Sequence, residues 1–196
     1  MIASKSRGPY FTPAEYLQLE QASDIKHEYR QGLVFAMSGA KKAHVVITSN
    51  VSGLLFSHLR QQRNCVVYST DIKVCFSADS IYYYPDVVVT CDERDQADNT
   101  TFIRHPKLII EVLSNSTEAF DRGEKFEDYK AIPELEEYVL IHQKQMLVER
   151  FWKRSPSLWV AQSYQPGEQV QFTSVGFSCP IEFLYEKAEQ FLEVQP

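Results

Sequence analysis

Apolar residues recur along the chain with a helical period in some stretches and fill consecutive positions in others. In residues 43–62 they recur at steps of three and four, which is typical of an amphipathic helix with one buried face. A first helix is predicted from Thr12 to about Ala22, because Thr12-Pro13-Ala14-Glu15 combines a hydroxyl cap, an early proline and an acid. The short extended pieces at 26–30 and 33–37 meet at Arg30-Gln31-Gly32, which predicts a β-hairpin between the two helices.

Two later segments are apolar on both faces, which is typical of strands at the centre of a covered sheet. The first, 84–91, contains three valines directly after Pro85-Asp86, and the second, 107–113, is broken by one acid, Glu111. Shorter strands are predicted around them at 65–69, 72–76, 137–142, 146–152, 158–164 and 169–172. Two further helices are predicted at 117–132 and 180–191.

This order of elements predicts one α/β domain over residues 1–196, built on a mixed sheet with helices on its faces. We expect an N-terminal helix and hairpin at 11–40 and a core that carries the chemistry at 43–142. An additional C-terminal antiparallel strand meander with a closing helix is expected at 143–196. Hydrophobic residues make up 44% of the chain, which is enough for a packed core and argues against disorder.

The formal net charge of −6 argues against nucleic-acid binding through a uniformly positive surface, although a local basic groove is compatible with it. The four cysteines form no C-x-x-C pair and have no histidine at zinc-ligand spacing, so we expect reduced, structural thiols. The first residues lack the apolar core of a signal peptide, and no apolar stretch is long enough to cross a bilayer. A cytoplasmic protein without a membrane partner is therefore expected.

The candidate chemistry lies in the two apolar strands, because a buried acid costs several kcal/mol unless it is paired or holds a metal. Asp86 heads one of these strands and Glu111 interrupts the other. If the strands are neighbours, both carboxylates reach one point and suit Mg²⁺ or Mn²⁺. From the residues alone, an alternative of equal weight is that Asp86 caps a turn and Glu111 faces solvent on an edge strand.

Three motifs around these acids match a known pattern. They are Tyr-Pro-Asp-Val-Val-Val at 84–89, Leu-Ile-Ile-Glu-Val-Leu-Ser at 108–114, and the spaced residues Thr117, Asp121, Lys125 and Tyr129. Together they resemble the PD-(D/E)XK nuclease superfamily and, more narrowly, its Uma-type branch, over nearly the whole chain. The resemblance implies a restriction-endonuclease-like fold in which Asp86 bridges a metal ion, Glu111 ligates it and the backbone carbonyl of Val112 completes the shell.

One position departs from the superfamily pattern. Leu113 stands where a lysine is expected two residues after the glutamate, and the resemblance to the Uma-type branch assigns that role to Lys125 on the following helix. There it would orient the attacking water or stabilise charge on the phosphate. The alternative is a solvated lysine that pairs with neighbouring helix acids at i, i+4 spacing.

Secondary candidates carry two interpretations each. Glu28 is either a further metal-site acid or an exposed hairpin residue, and His44 either contacts substrate phosphate from a helix N-terminus or packs or caps locally. Tyr129 is a candidate substrate contact, although packing in the core is favoured. Tyr82-Tyr83-Tyr84 could stack on bases, but an edge strand or dimer contact is favoured.

These observations predict a Mg²⁺-dependent DNA endonuclease, with Mn²⁺ as a substitute ion and Asp86, Glu111 and Lys125 as catalytic residues. The alternative is a nuclease-fold module that binds nucleic acid or a protein partner without cutting. A homodimer is also expected, because apolar strand edges can pair between two copies.

Overall fold

The computed structural model describes residues 10–61, 64–97 and 100–193. The first nine residues therefore lie outside the described residues, as does residue 62, the last of the helix predicted at 43–62. Its α-helices, numbered α1 to α6 along the chain, are Pro13–Ala22, Lys42–Leu59, Glu93–Ala97, Glu118–Arg122, Glu124–Tyr129 and Ile181–Leu184. Short 3₁₀ helices lie at Thr173–Val175 and Glu189–Phe191.

Thirteen strands are found in the described residues and form three sheets. In chain order, β1 to β13 are His27–Arg30, Leu33–Ala36, Val66–Ser69, Lys73–Phe76, Ile81–Tyr83, Val87–Thr90, Phe102–Ile103, Pro106–Leu113, Glu137–His142, Val148–Ser155, Leu158–Tyr164, Gln169–Phe172 and Phe177–Pro180. This is the mixed α/β architecture predicted from the sequence. The predicted meander is divided, because β9, β10 and β11 belong to the main sheet and β12 and β13 form a separate pair.

The main sheet has the strand order β11-β10-β9-β8-β6-β3. The two strands with acids are neighbours, since β6 and β8 are antiparallel and Val87 lies opposite Ile110. β8 and β9 run parallel, with Leu108 opposite Glu137 and Glu111 opposite Leu140. Asp86 at the start of β6 and Glu111 near the end of β8 therefore lie at the same end of the sheet.

Each face of the main sheet is covered by different elements. On one face, Val87, Val89 and Ile110 pack against α2 and the C-terminal segment. On the other face, Val88, Ile109 and Leu140 pack against α5 and the second sheet. Asp86 and Glu111 alternate with the residues of the first face, so their side chains point to the second face.

The second sheet has the order β2-β1-β5-β4-β7 and brings the N-terminal hairpin next to the main sheet. Helix α1 packs on it through Tyr16, and its capping box at Thr12 and Glu15 is formed as predicted. Strand β5 lies between β1 and β4, and Tyr82, Tyr83 and Tyr84 are buried. The prediction that these tyrosines form an edge strand or dimer contact is therefore wrong, as is base stacking by them.

The predicted helix at 117–132 is two short helices. Gly123 separates α4 from α5 with φ −104° and ψ −105°, and a Cβ there would lie 3.0 Å from the carbonyl oxygen of Ala119. The break redirects the chain, so that α5 packs over the end of β8.

The expectation of four reduced thiols is wrong for Cys65 and Cys91, which form a disulfide. These residues extend the antiparallel pair β3–β6, in which Val66 lies opposite Thr90, so the pairing places them directly across from each other. Cys75 and Cys179 are free and buried, as expected. Within the described part of the chain, no helix is long and apolar enough to span a membrane.

Candidate active site

Asp86 lies where the chain enters β6, and its carboxylate joins three elements. Its Oδ2 accepts a hydrogen bond of 2.7 Å from the backbone N–H of Val112, and its Oδ1 lies 2.8 Å from Nε2 of His44. Its own backbone N–H donates to Oε2 of Glu111 over 3.4 Å. Asp86 thus ties the N-terminal part of α2 to the end of β8, and the sequence alternative of a simple turn cap is excluded.

Glu111 is only 4% exposed on β8, in the interior of the main sheet. Its Oε1 lies 2.9 Å from Nζ of Lys125 and accepts a longer hydrogen bond of 3.3 Å from the hydroxyl of Tyr129. The alternative of a solvent-facing acid on an edge strand is therefore excluded. Burial in an apolar strand is what makes this carboxylate dependent on nearby cations.

Lys125 is buried to the same degree and lies among acids. Its Nζ is 2.9 Å from Oε1 of Glu28, 2.9 Å from Oε1 of Glu111 and 3.7 Å from Oδ1 of Asp121. It also lies over the ring of Tyr83, 5.3 Å from the centroid. Lys125 is thus not the solvated helix lysine that the sequence left as an alternative. Lys125 lies in the first turn of α5, directly after the break at Gly123.

Glu28 points into the same cluster from β1. Besides its contact with Lys125, its Oε1 accepts a hydrogen bond of 3.1 Å from the backbone N–H of Tyr84. Of its two interpretations, the structure shows the one in which it reaches the acidic site. The hairpin therefore delivers a third carboxylate beside Asp86 and Glu111.

Asp121 is a member of the cluster that the sequence analysis did not single out as a site residue. It is 3% exposed on α4, four residues before Lys125. The available signal was this i, i+4 spacing, but such pairs are common on solvated helix surfaces. Only the packing of α4 and α5 against the sheet distinguishes this buried pair from a pair on a solvated helix surface.

His44 and Tyr129 both reach the cluster through its acids. His44 contacts Asp86 through Nε2, while its Nδ1 is buried without a hydrogen-bond partner among the described residues. Tyr129 is fully buried and meets Glu111 through its hydroxyl. Its position matches the core packing favoured from the sequence, with the polar end directed at the site.

The electrostatics of the cluster follow from one ammonium group among several carboxylates. Burial, together with the charges of Asp121, Asp86 and Glu28, raises the pKa of Glu111 well above its ordinary value despite Lys125. Burial alone would lower the pKa of Lys125, but Glu111, Glu28 and Asp121 raise it well above its ordinary value. The surrounding acids therefore favour the charged form of Lys125, and three of them compete for this one cation in a buried space.

The donor set fits a hard divalent cation in its chemistry. Carboxylate oxygens are the ligands that Mg²⁺ and Mn²⁺ prefer, and three acids share one ammonium group while a fourth, Asp86, lies beside Glu111. In the parts of the chain that the structure describes, however, no three His, Cys, Asp or Glu side chains are placed so that they could hold one ion. Lys125 lies between Glu28 and Glu111, and both oxygens of Asp86 are engaged by protein donors.

Comparison with known proteins places this arrangement in a family. The sequence model of the family described as "Uma2: Putative restriction endonuclease" matches residues 13–182. The chain belongs to the Uma2 family. The recognition made from the motifs of the two acidic strands is thereby confirmed.

Two relatives of this Uma2 protein come from Synechocystis sp. (strain ATCC 27184 / PCC 6803 / Kazusa). The uncharacterized protein slr1290 is 37% identical over 187 residues, which cover 94% of this chain and 97% of the relative. The uncharacterized protein sll1609 is 37% identical over 150 residues, covering 76% and 84% of the two chains.

A solved structure shares the fold of this Uma2 chain at low sequence identity. It is the crystal structure of "a putative nuclease belonging to DUF820" from Anabaena variabilis ATCC 29413. The TM-score is 0.76 at 17% identity, with 91% of this chain and 99% of that chain covered. The predicted restriction-endonuclease-like fold is therefore confirmed.

Proposed function

We propose that this Uma2 protein is a Mg²⁺-dependent DNA endonuclease whose catalytic residues are Asp86, Glu111 and Lys125. The observation that carries the proposal is the buried lysine between carboxylates from three separate elements, β1, β8 and α4. A structural ion pair needs one acid for one base, whereas this cluster keeps extra acids buried at a cost of several kcal/mol each. That excess is accounted for if a divalent cation binds during function.

Asp86, Glu111 and the backbone carbonyl of Val112 would hold the ion, with Glu28 as a further ligand. When bound, the ion would supply a nucleophilic water at neutral pH and stabilise charge on the phosphate. A water would lose one proton to solvent as its oxygen bonds to phosphorus, and the P–O3′ bond would break while the 3′-oxygen takes up a proton from solvent. The products then carry a 5′-phosphate.

The chain's own residues would have distinct tasks in this reaction. Because its raised pKa keeps Lys125 protonated, it would stabilise negative charge on the phosphate and orient the water rather than remove a proton. His44 would hold Asp86 from α2, and Tyr129 would fix the rotamer of Glu111 through its hydroxyl.

The first experiment is a calorimetric titration of Mn²⁺ into the wild-type protein and into Glu111→Ala, because metal binding does not depend on the choice of DNA. Saturable binding of one or two ions, lost in Glu111→Ala, is expected. Glu136→Ala is the matched control, since Glu136 is a surface acid with a side chain 52% exposed. Equal binding by wild type and Glu111→Ala would remove the proposed mechanism.

Cleavage of plasmid and oligonucleotide DNA with Mn²⁺ is the second readout. Asp86→Ala and Lys125→Ala are expected to lower the rate at least about 100-fold, the usual cost of removing one charge-stabilising group. Asp86→Ala should also weaken Mn²⁺ binding, whereas Lys125→Ala should not. This difference in Mn²⁺ binding would distinguish a metal ligand from a residue that acts on the phosphate.

A second function is favoured by one specific feature. Lys125 already lies between Glu28 and Glu111, and this closed arrangement suits a module that binds nucleic acid or a protein partner without cutting. If the wild type binds DNA but shows no saturable Mn²⁺ binding, the result would support the binding module over the nuclease.

A further inference from the structure

The edge of the second sheet next to the acidic cluster is apolar and exposed. Strand β2 is the outer strand of that sheet, and Leu33, Phe35 and Met37 are 41%, 48% and 37% exposed. They occupy alternate positions of an extended segment, so their side chains share one face. The backbone N–H of Met37 donates to the carbonyl of Lys26, which continues the hairpin pairing to this residue.

This apolar row lies on the same face as the acid from the hairpin. Phe35 is directly opposite Glu28 in the antiparallel pair β1–β2. Residues in that relation have Cβ atoms about 5 Å apart and side chains on one face of the sheet. Glu28 contacts Lys125 at 2.9 Å, so the ring of Phe35 is one cross-strand neighbour away from the cluster.

The chain that follows leads directly to the other side of the cluster. After Met37 it passes through the exposed segment Ser38-Gly39-Ala40 and enters α2 at Lys41-Lys42, two residues before His44. Lys41 and His44 are three residues apart at the start of the helix and share a side of it. The two lysines also line a cleft of about 310 Å³ with Gln143 and Lys144.

Lys41 and Lys42 have no carboxylate partner among the described residues. In this part of the chain, neither forms an ion pair, whereas carboxylate partners are found for Lys26, Lys107, Lys125, Lys130 and Lys144. Their charge adds to the positive end of the α2 helix dipole. Unpaired cations that follow an exposed aromatic ring closely along the chain match a ligand with both phosphates and flat bases.

We propose that residues 33–42 form a binding lip for single-stranded DNA, in which Phe35 stacks on an unpaired base and Lys41 and Lys42 contact backbone phosphates. In a duplex the base faces are already stacked, so a protruding ring can add a partner only where a strand is single or locally unpaired. Near one end of the lip Phe35 lies opposite Glu28, and at its other end Lys42 precedes His44 by two residues. The inference rests on the proposed function only in that the bound strand is the one to be cut.

The test measures binding without cleavage. Wild-type protein in EDTA is titrated into a fluorescent fifteen-residue oligothymidylate, and anisotropy is recorded over a range of salt concentrations. Phe35→Ala is expected to weaken binding about tenfold, Phe35→Trp to retain it, and Phe35→Leu to behave like Phe35→Ala, because stacking needs a ring. On an abasic oligonucleotide, wild type and Phe35→Ala should bind equally.

The lysines have a separate readout. Replacing both Lys41 and Lys42 by alanine should reduce the salt dependence of binding by about 1.4 in log–log slope, since each contact to a single strand contributes about 0.7. Phe183→Ala is the matched control, because Phe183 is 52% exposed on α6 and lies outside the lip. Thermal melting checks that every variant is folded.

Several outcomes would overturn the inference. They are unchanged binding by Phe35→Ala, an equal loss on the abasic strand, or tighter binding of duplex than of single strand. A change in oligomeric state on Phe35→Ala, seen by sedimentation, with no change in DNA binding would show instead that the apolar row contacts a second copy. Because no metal is present, loss of the nuclease proposal in the Mn²⁺ titration leaves this test intact, and the reverse also holds.

Discussion

Two buried glutamates on adjacent parallel strands have contrasting surroundings. Glu137 on β9 is 1% exposed and lies opposite Leu108, three residues from the position paired with Glu111. Its carboxylate accepts hydrogen bonds from the backbone N–H groups of Thr173 (3.0 Å) and Ser174 (2.9 Å), and from Arg150. Both carboxylate oxygens of Glu137 are thus engaged, Oε1 by Arg150 of β10 and by Thr173, and Oε2 by Ser174.

Glu111 has no such set of donors. It shares Lys125 with Glu28 and Asp121, and its remaining contacts are long hydrogen bonds from Tyr129 and Asp86. The lesson is that burial of an acid alone does not mark a functional site. An acid with its own cation and neutral donors holds the fold together, whereas acids that compete for one cation leave charge for a ligand to offset.

The largest expected effect is the loss of stability when Glu137, the acid with its own set of donors, is replaced. Glu137→Ala should lower the free energy of unfolding by about 3–5 kcal/mol, because it leaves Arg150 buried without its carboxylate and frees two backbone donors. Urea denaturation measures this. The adjacent Glu136→Ala, at a side chain 52% exposed, should stay within about 0.5 kcal/mol. A loss of unfolding free energy below about 1 kcal/mol for Glu137→Ala would contradict the structural role that distinguishes Glu137 from Glu111.

A smaller effect is expected when the shared cation is removed. Lys125→Met should lower stability by about 3 kcal/mol in EDTA, because the acids then face one another in a buried space. Adding Mn²⁺ should raise the melting temperature more for this variant than for wild type, since the ion replaces the missing charge.

Lys130→Met is the matched control, because Lys130 is a partly exposed lysine at the end of the same helix and pairs with Glu127. It should change stability by less than about 1 kcal/mol and show no extra Mn²⁺ response. If Lys125→Met behaves in the same way, the acids do not depend on a cation.

The smallest effect belongs to a half-buried acid, Glu149, which contacts Arg122 and His142. Hydrogen bonds from His142 and Arg122 lower the pKa of Glu149 to about 2. A lowered carboxyl pKa stabilises the fold above the ordinary value of 4.5, and this stabilisation is lost as pH falls from 4.5 towards 2. Glu149→Gln should therefore lower unfolding free energy by about 1 kcal/mol at pH 7 and show no deficit near pH 2.

Urea unfolding of wild type and Glu149→Gln at pH 7, 4.5 and 3 measures whether the difference in their unfolding free energies shrinks as pH falls. Glu118→Gln is the control, because Glu118 contacts the same arginine at 3.0 Å from a more exposed position. Parallel curves for wild type and Glu149→Gln over this range would contradict the assignment of the stabilisation to the charged carboxylate.

The sequence predicted the parts of the fold that local chemistry determines. The cap at Thr12 predicted the start of α1, and the strand predicted at 169–172 has the same bounds as β12. The two apolar strands with acids were also identified, since an acid inside such a run is conspicuous. Glu137 was not, because it stands at the start of its strand among the other acids of 134–137, where sequence does not distinguish a buried acid from exposed ones.

Features that depend on tertiary contacts could not be predicted. Strand β5 is only three residues long and its tyrosines give no alternation, so its central position follows from pairing with β1 and β4. The sequence analysis predicted one continuous helix across Gly123, and the inward position of Lys125 is seen only in the structure. The Cys65–Cys91 bond required knowledge that β3 and β6 are neighbours.

That disulfide also closes a covalent ring that contains Asp86 and two tyrosines of the second sheet, Tyr82 and Tyr83. The tip of the ring is the exposed turn between β4 and β5, where Ser77, Ala78 and Asp79 have left-handed φ angles of 53°, 54° and 63°. A protease that cut this turn would yield two chains, one with Glu28 and His44 and the other with Asp86, Glu111 and Lys125. As long as the bond is oxidised, the nicked protein stays one molecule, whereas a reductant would leave its two parts joined by noncovalent contacts alone.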